Sequence, residues 1–248
     1  MTARLIALLK LARMGVHLVR GLWRVYTRLG RLDAAGRAAQ TQAWAQQALG
    51  LLGIALRVRG EPPVRGPVLL VANHISWLDI LVLLASCPCR FVSKVEVGRW
   101  PVIGRLTHAA GTLFIQRESR RDALRVVHQM AACLSPEQSW VLAIFPEGTT
   151  SNGLQLLPFH ANLFQAAIAA NAPVQPVALR FEDAASGQIS LAPCYIDDDS
   201  LLDSVWRTLC APPLRVALHF GAPQEAQGRT RQQWALDARQ QVEQLRNL

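Results

Sequence analysis

Asn73-His74-Ile75-Ser76-Trp77-Leu78-Asp79 is the stretch on which the reading of this chain turns. Directly before it, residues 67–72 form a short apolar run bounded by Gly66 and Pro67, the pattern of a buried strand. Residues 80–85 are apolar again and close at Cys87-Pro88, which reads as a helix. A histidine therefore stands in a tight turn between a buried strand and a helix, five residues ahead of an aspartate. Open α/β sheets present reactive groups in such turns, outside the carboxyl ends of their strands. Histidine is also the side chain suited to act as a general base near neutral pH.

Working outward, strand and helix signals alternate. Residues 54–58, 90–93, 112–116, 140–145, 174–181, 189–192 and 214–220 read as strands. Residues 123–134, about 162–170 and a last segment opened by Thr230 and Gln233 read as helices, the last burying Trp234, Ala238, Val242 and Leu245. Residues 98–105, with Pro101 and Gly104, read as a loop with one helical turn, and Pro176 places its strand at an edge or irregular position. The fold class is α/β: a single mixed, mostly parallel sheet flanked by helices.

An N-terminal amphipathic helical hairpin precedes that sheet. Lys10, Arg13, His17, Arg20, Arg24, Arg28 and Arg31 recur at steps of three and four, with Leu8, Leu11, Leu18, Leu22, Val25 and Leu29 roughly opposite. Trp23 and Tyr26 lie nearby, and Asp33 is placed to cap a second helix that reaches about Leu52. A basic amphipathic helix with interfacial aromatics suits a bilayer surface; an ordinary helix packed on its own domain is the alternative. Residues 1–52 are thus read as a membrane-associating hairpin and residues 53–248 as the catalytic domain.

The net charge of +9 comes almost wholly from arginine, with Lys10 and Lys94 the only lysines, and implies anionic partners. Nucleic acid is not among them, because no binding-fold signature is present and basic and aromatic residues interleave only in the first helix. No stretch reads as a membrane span of about 20 residues: 148–179 is interrupted by Pro, Asn, Gln and His, and 38–56 carries Gln40, Gln42, Gln46 and Gln47. Lys10 and Arg13 break any signal-peptide core. Peripheral attachment at the cytoplasmic face of the cell membrane is the expectation. Cys87, Cys89, Cys133, Cys194 and Cys210 lack metal-ligand spacing, and their odd number argues against a disulfide framework.

His74 and Asp79 support acid–base chemistry if the aspartate folds back to hold the imidazole. The Ser76-x-x-Asp79 spacing equally suits a helix cap. No Gly-x-Ser-x-Gly elbow or activated cysteine supplies a protein nucleophile, so the histidine would deprotonate a substrate hydroxyl. Two further segments stand out. Gly111-Thr112-Leu113-Phe114-Ile115-Gln116-Arg117 delivers an arginine at a strand end, and Phe145-Pro146-Glu147-Gly148-Thr149 ends a buried strand in a glycine-containing turn.

This set resembles the glycerolipid acyltransferase family, the one containing 1-acyl-sn-glycerol-3-phosphate acyltransferases. Asn73-His74-x4-Asp79 looks like its first motif, Gly111-x2-Phe114-Ile115-x-Arg117 its second and Phe145 to Thr149 its third. Val174-Gln175-Pro176-Val177 is similar to its fourth, and the resemblance covers about residues 54–181. It implies that His74, oriented by Asp79, activates a lysolipid hydroxyl toward an acyl thioester of CoA or acyl carrier protein. It also implies that Arg117 holds the acceptor phosphate and that Phe145, Pro146, Glu147, Gly148 and Thr149 shape the acceptor site. No metal or bound organic cofactor is called for.

The chain departs from the family pattern where Thr150 replaces an arginine and His160 stands in place of a lysine. Losing a buried phosphate contact costs about 1.5–3 kcal/mol, unless His160 or Arg120 compensates. The expected acceptor is 1-acyl-glycerol-3-phosphate, with another lysolipid such as lyso-ornithine lipid as the alternative. A non-catalytic basic membrane-binding protein is the reading from a different class.

Overall fold

A computed structural model describes residues 3–115, 120–196 and 198–248. Helices α1 (Ala3–Thr27) and α2 (Ala34–Leu52) form the N-terminal hairpin. Then follow β1 (Ile54–Arg59), β2 (Val68–Ala72), α3 (Leu78–Ser86), β3 (Cys89–Lys94), α4 (Val95–Gly98), α5 (Ile103–Ala109), β4 (Leu113–Ile115) and α6 (Arg120–Cys133). The remainder is β5 (Val141–Ile144), α7 (Phe164–Ala170), β6 (Val174–Asp183), α8 (Leu201–Cys210), β7 (Leu214–Phe220) and α9 (Arg231–Arg246).

The strands lie in the order β1-β7-β6-β2-β5-β3-β4, and every neighbouring pair is parallel except β6 with β7. Strand β2 sits in the middle, between β6 and β5, and all five of its residues are buried. A strand covered on both faces needs apolar side chains in both directions, which explains its unbroken run. Leu70 and Ala72 point into a core shared with α2, α3 and α8, while Leu69 and Val71 point into one shared with α6, α7 and α9.

Asn73 carries this order into the turn. Its Nδ2 donates to the Leu179 carbonyl at 3.0 Å, and its Oδ1 accepts from the Leu179 N–H at 2.8 Å. The side chain thus continues the ladder to β6 for one residue after the main chain of β2 has turned away.

The mixed, mostly parallel sheet and the hairpin match the reading from sequence, and α9 opens with the expected Thr230–Gln233 capping box. Two details differ, and two are made specific. Residues 98–105 leave α4, pass through a turn at 99–102 and enter the first turn of α5, where Gly104 allows α5 to approach the Gly98 carbonyl: a Cβ there would fall 2.2 Å from that oxygen. Residues 189–192 form no strand, because only Ile189 makes a bridge, to Glu182. Helix α8 had no sequence reading. Of the two positions open to Pro176, the irregular one holds: β6 lies inside the sheet, and its pairing with β7 starts only at Val177. On that side Pro176 uses its carbonyl, which accepts from the Gly221 N–H at 2.8 Å, so its missing N–H leaves no gap.

The orientation of α1 also differs from the stripes read in sequence. His17 is buried, with its ring stacked on Trp44 at 4.9 Å and its Nε2 against the Trp44 carbonyl at 3.0 Å. Burial lowers its pKa, the backbone bond opposes this, and Arg24 and Arg20 add to the lowering, so His17 leaves the cationic stripe. Gly21 packs against the Trp44 indole. Of the apolar stripe read in sequence, Leu8 and Leu11 face outward while Leu18, Leu22 and Val25 are half-buried; Leu5, Leu9, Val16, Val19, Trp23 and Tyr26 join the outward face, each between 43% and 66% exposed. No helix among the described residues is long and apolar enough to cross a membrane.

Asn73→Ala removes both bonds to Leu179 and leaves a buried N–H and C=O unpaired. The expected loss is on the order of 2–4 kcal/mol of unfolding free energy, measured by denaturant titration with circular dichroism.

Candidate active site

The turn after β2 is held by one oxygen. Asp79 Oδ2 accepts from His74 Nδ1 at 2.8 Å, from the Ile75 N–H at 2.6 Å and from the Ser76 N–H at 2.8 Å. Bonding to Ser76 is the reach-back half of a capping box, and Ser76 Oγ in turn accepts from the Leu78 N–H at 3.3 Å. Capping the helix and holding the imidazole are therefore one arrangement. Asp79 is fully buried, and the His74 side chain is 20% exposed. A carboxylate acceptor places the His74 proton on Nδ1 and leaves Nε2 as the ring's acceptor.

Neighbouring elements fix the ring. Phe145, at the end of β5, stacks on His74 with centroids 3.9 Å apart and planes 7° apart, and Phe91 stacks behind it at 5.9 Å. Rotation of the imidazole about χ2 would lose that stack and the Asp79 bond together. The His74 carbonyl accepts from the Ser151 N–H at 2.9 Å. Buried beside this turn, the Cys194 thiol is pushed up to about 11, first by burial and then by the charge of Asp79. It stays protonated and is no nucleophile at neutral pH.

Glu147 lies where the third segment meets this turn. Its Oε1 accepts from the His74 N–H at 2.8 Å and its Oε2 from the Leu157 N–H at 2.9 Å. Burial raises its pKa, and the two N–H bonds oppose the rise. This carboxylate ties the His74 backbone to the loop after β5. Pro146 is buried, and its carbonyl accepts from the His160 N–H at 2.8 Å. Gly148 adopts φ +75°, and the His160 ring lies where a Cβ would go, 2.8 Å from Nε2. Thr149 is exposed, whereas the Thr150 hydroxyl donates to the Tyr195 carbonyl. Arg117 lies outside the described residues, as does the side chain of Arg120.

Three residues in the site carried no readable signal in the sequence. Tyr195 donates its N–H to the Ile75 carbonyl at 3.1 Å, which brings the segment after β6 against the turn. From α9, Arg246 donates to the carbonyls of Gly153 (2.7 Å) and Leu154 (3.0 Å), and Arg239 to those of Leu156 (2.7 Å) and Leu157 (3.1 Å). The loop contacting Glu147 is thus clamped along its length by the C-terminal helix. Nothing in the spacing of two arginines on a helix announces such a role.

A histidine held by a buried carboxylate, at the carboxyl end of a central parallel strand, defines a class of α/β enzyme equipped for proton transfer. Residues 55–180 match the family model "Acyltransferase", and the chain belongs to that family: it is an acyltransferase. It is 42% identical over 175 residues to a 1-acyl-sn-glycerol-3-phosphate acyltransferase of Neisseria gonorrhoeae, covering 70% of this chain and 67% of that one. It is 39% identical over 206 residues to a lyso-ornithine lipid O-acyltransferase of Pseudomonas aeruginosa, covering 83% and 78%. The crystal structure of a 1-acyl-sn-glycerophosphate acyltransferase from Thermotoga maritima superposes with a TM-score of 0.69 over 98% of this chain and 96% of that one. At 19% identity, that likeness shows the shared fold.

Glu147→Gln places an amide NH2 against one of two backbone N–H donors. The expected cost is about 1.5–3 kcal/mol of stability together with a fall in turnover, read by denaturant unfolding and by an acyl-transfer assay on the same preparation.

Proposed function

We propose that this enzyme transfers a fatty acyl group from an acyl thioester to the free hydroxyl of a lysophospholipid, with 1-acyl-glycerol-3-phosphate as the acceptor and phosphatidic acid as the product. The observation that carries this reading is the 2.8 Å contact between His74 Nδ1 and the buried Asp79, within a ring stack that leaves Nε2 for a substrate. His74 Nε2 takes the proton of the acceptor hydroxyl as its oxygen attacks the thioester carbonyl. The tetrahedral intermediate collapses, the C–S bond breaks, and the leaving thiolate takes the proton back from the imidazolium. Asp79 stabilises the imidazolium in between. The donor is acyl-CoA or acyl carrier protein, and no metal or bound organic cofactor enters the scheme.

Arg117 would hold the acceptor phosphate. Phe145 holds the base by stacking, Pro146 and Glu147 shape the site through backbone contacts, and Gly148 and Thr149 line its exposed side. A second reading, acylation of a lyso-ornithine lipid, is favoured by one feature. The Thr150 hydroxyl is committed to Tyr195, so the position where the family pattern carries arginine offers no cation. The Pseudomonas relative's name adds to that reading.

Residues 1–52 would place the enzyme on the cytoplasmic face of the cell membrane as a peripheral protein. The stripe from Leu5 to Tyr26 would enter the acyl boundary, with exposed Arg13, Arg20 and Arg28 near the lipid phosphates.

With acyl-CoA or acyl carrier protein thioester and a panel of lysolipids, His74→Ala should lower thiol release at least about a hundredfold; equal release by variant and wild type overturns the base assignment. The same panel ranks 1-acyl-glycerol-3-phosphate against lyso-ornithine lipid. Replacing Val16, Val19 and Trp23 together by serine removes apolar area whose burial in the bilayer would be worth several kcal/mol. Retention on phosphatidylglycerol vesicles in a flotation assay should then fall more than about tenfold, with circular dichroism unchanged.

A further inference from the structure

At the opposite end of the sheet from His74 lies a cavity of about 230 Å³. It is bounded by the first turns of α2, the end of α3, the start of β3 and the end of α5. Arg37, Thr41, Gln42, Arg90 and His108 line it, and no carboxylate is among the described residues that do. We propose that this cavity binds an oxyanion of the phosphate class, held between the guanidinium groups of Arg37 and Arg90.

Arg90 is built for this task. Its guanidinium lies over the Trp140 ring, 3.5 Å from the centroid, which covers one flat face and leaves the N–H edges in the plane. Gly111, at φ +76°, makes room for its shaft: a Cβ there would stand 3.1 Å from Arg90 Cδ. Both arginines are half-buried, and neither has a carboxylate partner among the described residues. Arg37 Nη1 donates to the Leu32 carbonyl at 2.6 Å, which steadies that side chain while leaving its other N–H groups. Burial holds the Arg90 pKa below the usual arginine range, Cys133 opposes this, and the charge of Arg37 adds to the lowering.

Two cations converging in a concavity without a counter-charge repel each other, and an oxyanion between them turns that repulsion into two attractions. Arginine forks match phosphate bidentately. His108, on the last turn of α5, borders the cavity, with its ring leaning on Phe114 at 4.4 Å. The volume falls short of the roughly 300–1,000 Å³ of pockets that enclose drug-sized ligands. It therefore suits a phosphate group carrying few other atoms. Such a group is supplied either by a soluble phosphate or phosphomonoester or by the head group of an anionic phospholipid.

The test titrates inorganic phosphate, at constant ionic strength, into the full-length protein in detergent, following melting temperature and the 31P linewidth. Saturable binding is expected, weakened at least tenfold in both Arg37→Gln and Arg90→Gln and unchanged in Arg117→Gln. Arg90→Lys, which keeps the charge but not the flat stack, should lose most of the affinity. If Arg90→Gln does not fold, Arg37→Gln carries the test. A second arm compares retention on phosphatidylglycerol and phosphatidylcholine vesicles. A lipid source predicts that Arg37→Gln selectively lowers retention on phosphatidylglycerol and that free phosphate competes; a soluble source predicts unchanged retention with loss of the phosphate response. Acyl transfer by Arg37→Gln, measured without added phosphate, should stay within twofold of wild type, which separates this site from the proposed catalytic one. Absence of a saturable phosphate response, or a response lost in Arg117→Gln and kept in Arg37→Gln, overturns the proposal.

Discussion

One carboxylate oxygen organises the functional end of this molecule. Asp79 Oδ2 gathers the Ile75 and Ser76 N–H groups and the His74 ring within 2.6–2.8 Å. In a fully buried position each of these donors would otherwise be unpaired, at about 1–3 kcal/mol apiece. The turn cannot relax without losing all three together, so the helix start, the backbone of the turn and the imidazole are fixed by the same atom. The sequence left two roles open for Asp79, helix cap and histidine partner. Both run through the same oxygen, because an acid three residues into the helix start reaches back to the residues that carry the histidine.

The second constraint is the coupling of distant segments to that turn. Glu147 bridges the His74 N–H to the loop after β5, and Arg239 and Arg246 grip that loop from α9. Phe145 closes the imidazole from one side, while Asn73 ties the same turn to β6. Preorganisation of this kind suits acyl transfer, in which donor and acceptor must meet in one geometry, because little reorganisation is left for the moment of transfer. It also gives Glu147 a different task from touching the acceptor, since both of its oxygens are taken by backbone donors.

The two ends of the sheet carry different electrostatics. At the carboxyl end, buried Asp79 and Glu147 surround a half-shielded histidine. At the amino end of β3, Arg37 and Arg90 face a cavity that no described carboxylate neutralises. The net charge of +9 is thus partly local: some arginines are matched, as Arg180 and Arg215 are on Glu182, and others are left open to anions. On α1, the same helix that looked like a cationic stripe places an apolar stripe outward and turns His17 inward.

Much of the fold was legible because burial on both faces writes an unbroken apolar run, and β2 and β5 are such runs. The His74–Asp79 pair and the turn at Phe145–Thr149 were legible because local spacing constrains them. Helix α8, the full extent of α4 and α5, and the choice between an edge and an irregular place for Pro176 were not. Their stability rests on contacts with segments far away in the chain, such as the antiparallel return of β7 that begins just past Pro176. By itself the sequence determined the alternation of elements, the local turn that joins histidine to aspartate, and the family. Tertiary structure alone decided which face of α1 turns outward, what Glu147 and Thr150 bond to, and that Arg239 and Arg246 hold the loop behind the histidine. Those outcomes depend on which surfaces meet, and no periodicity within a single segment records its partner.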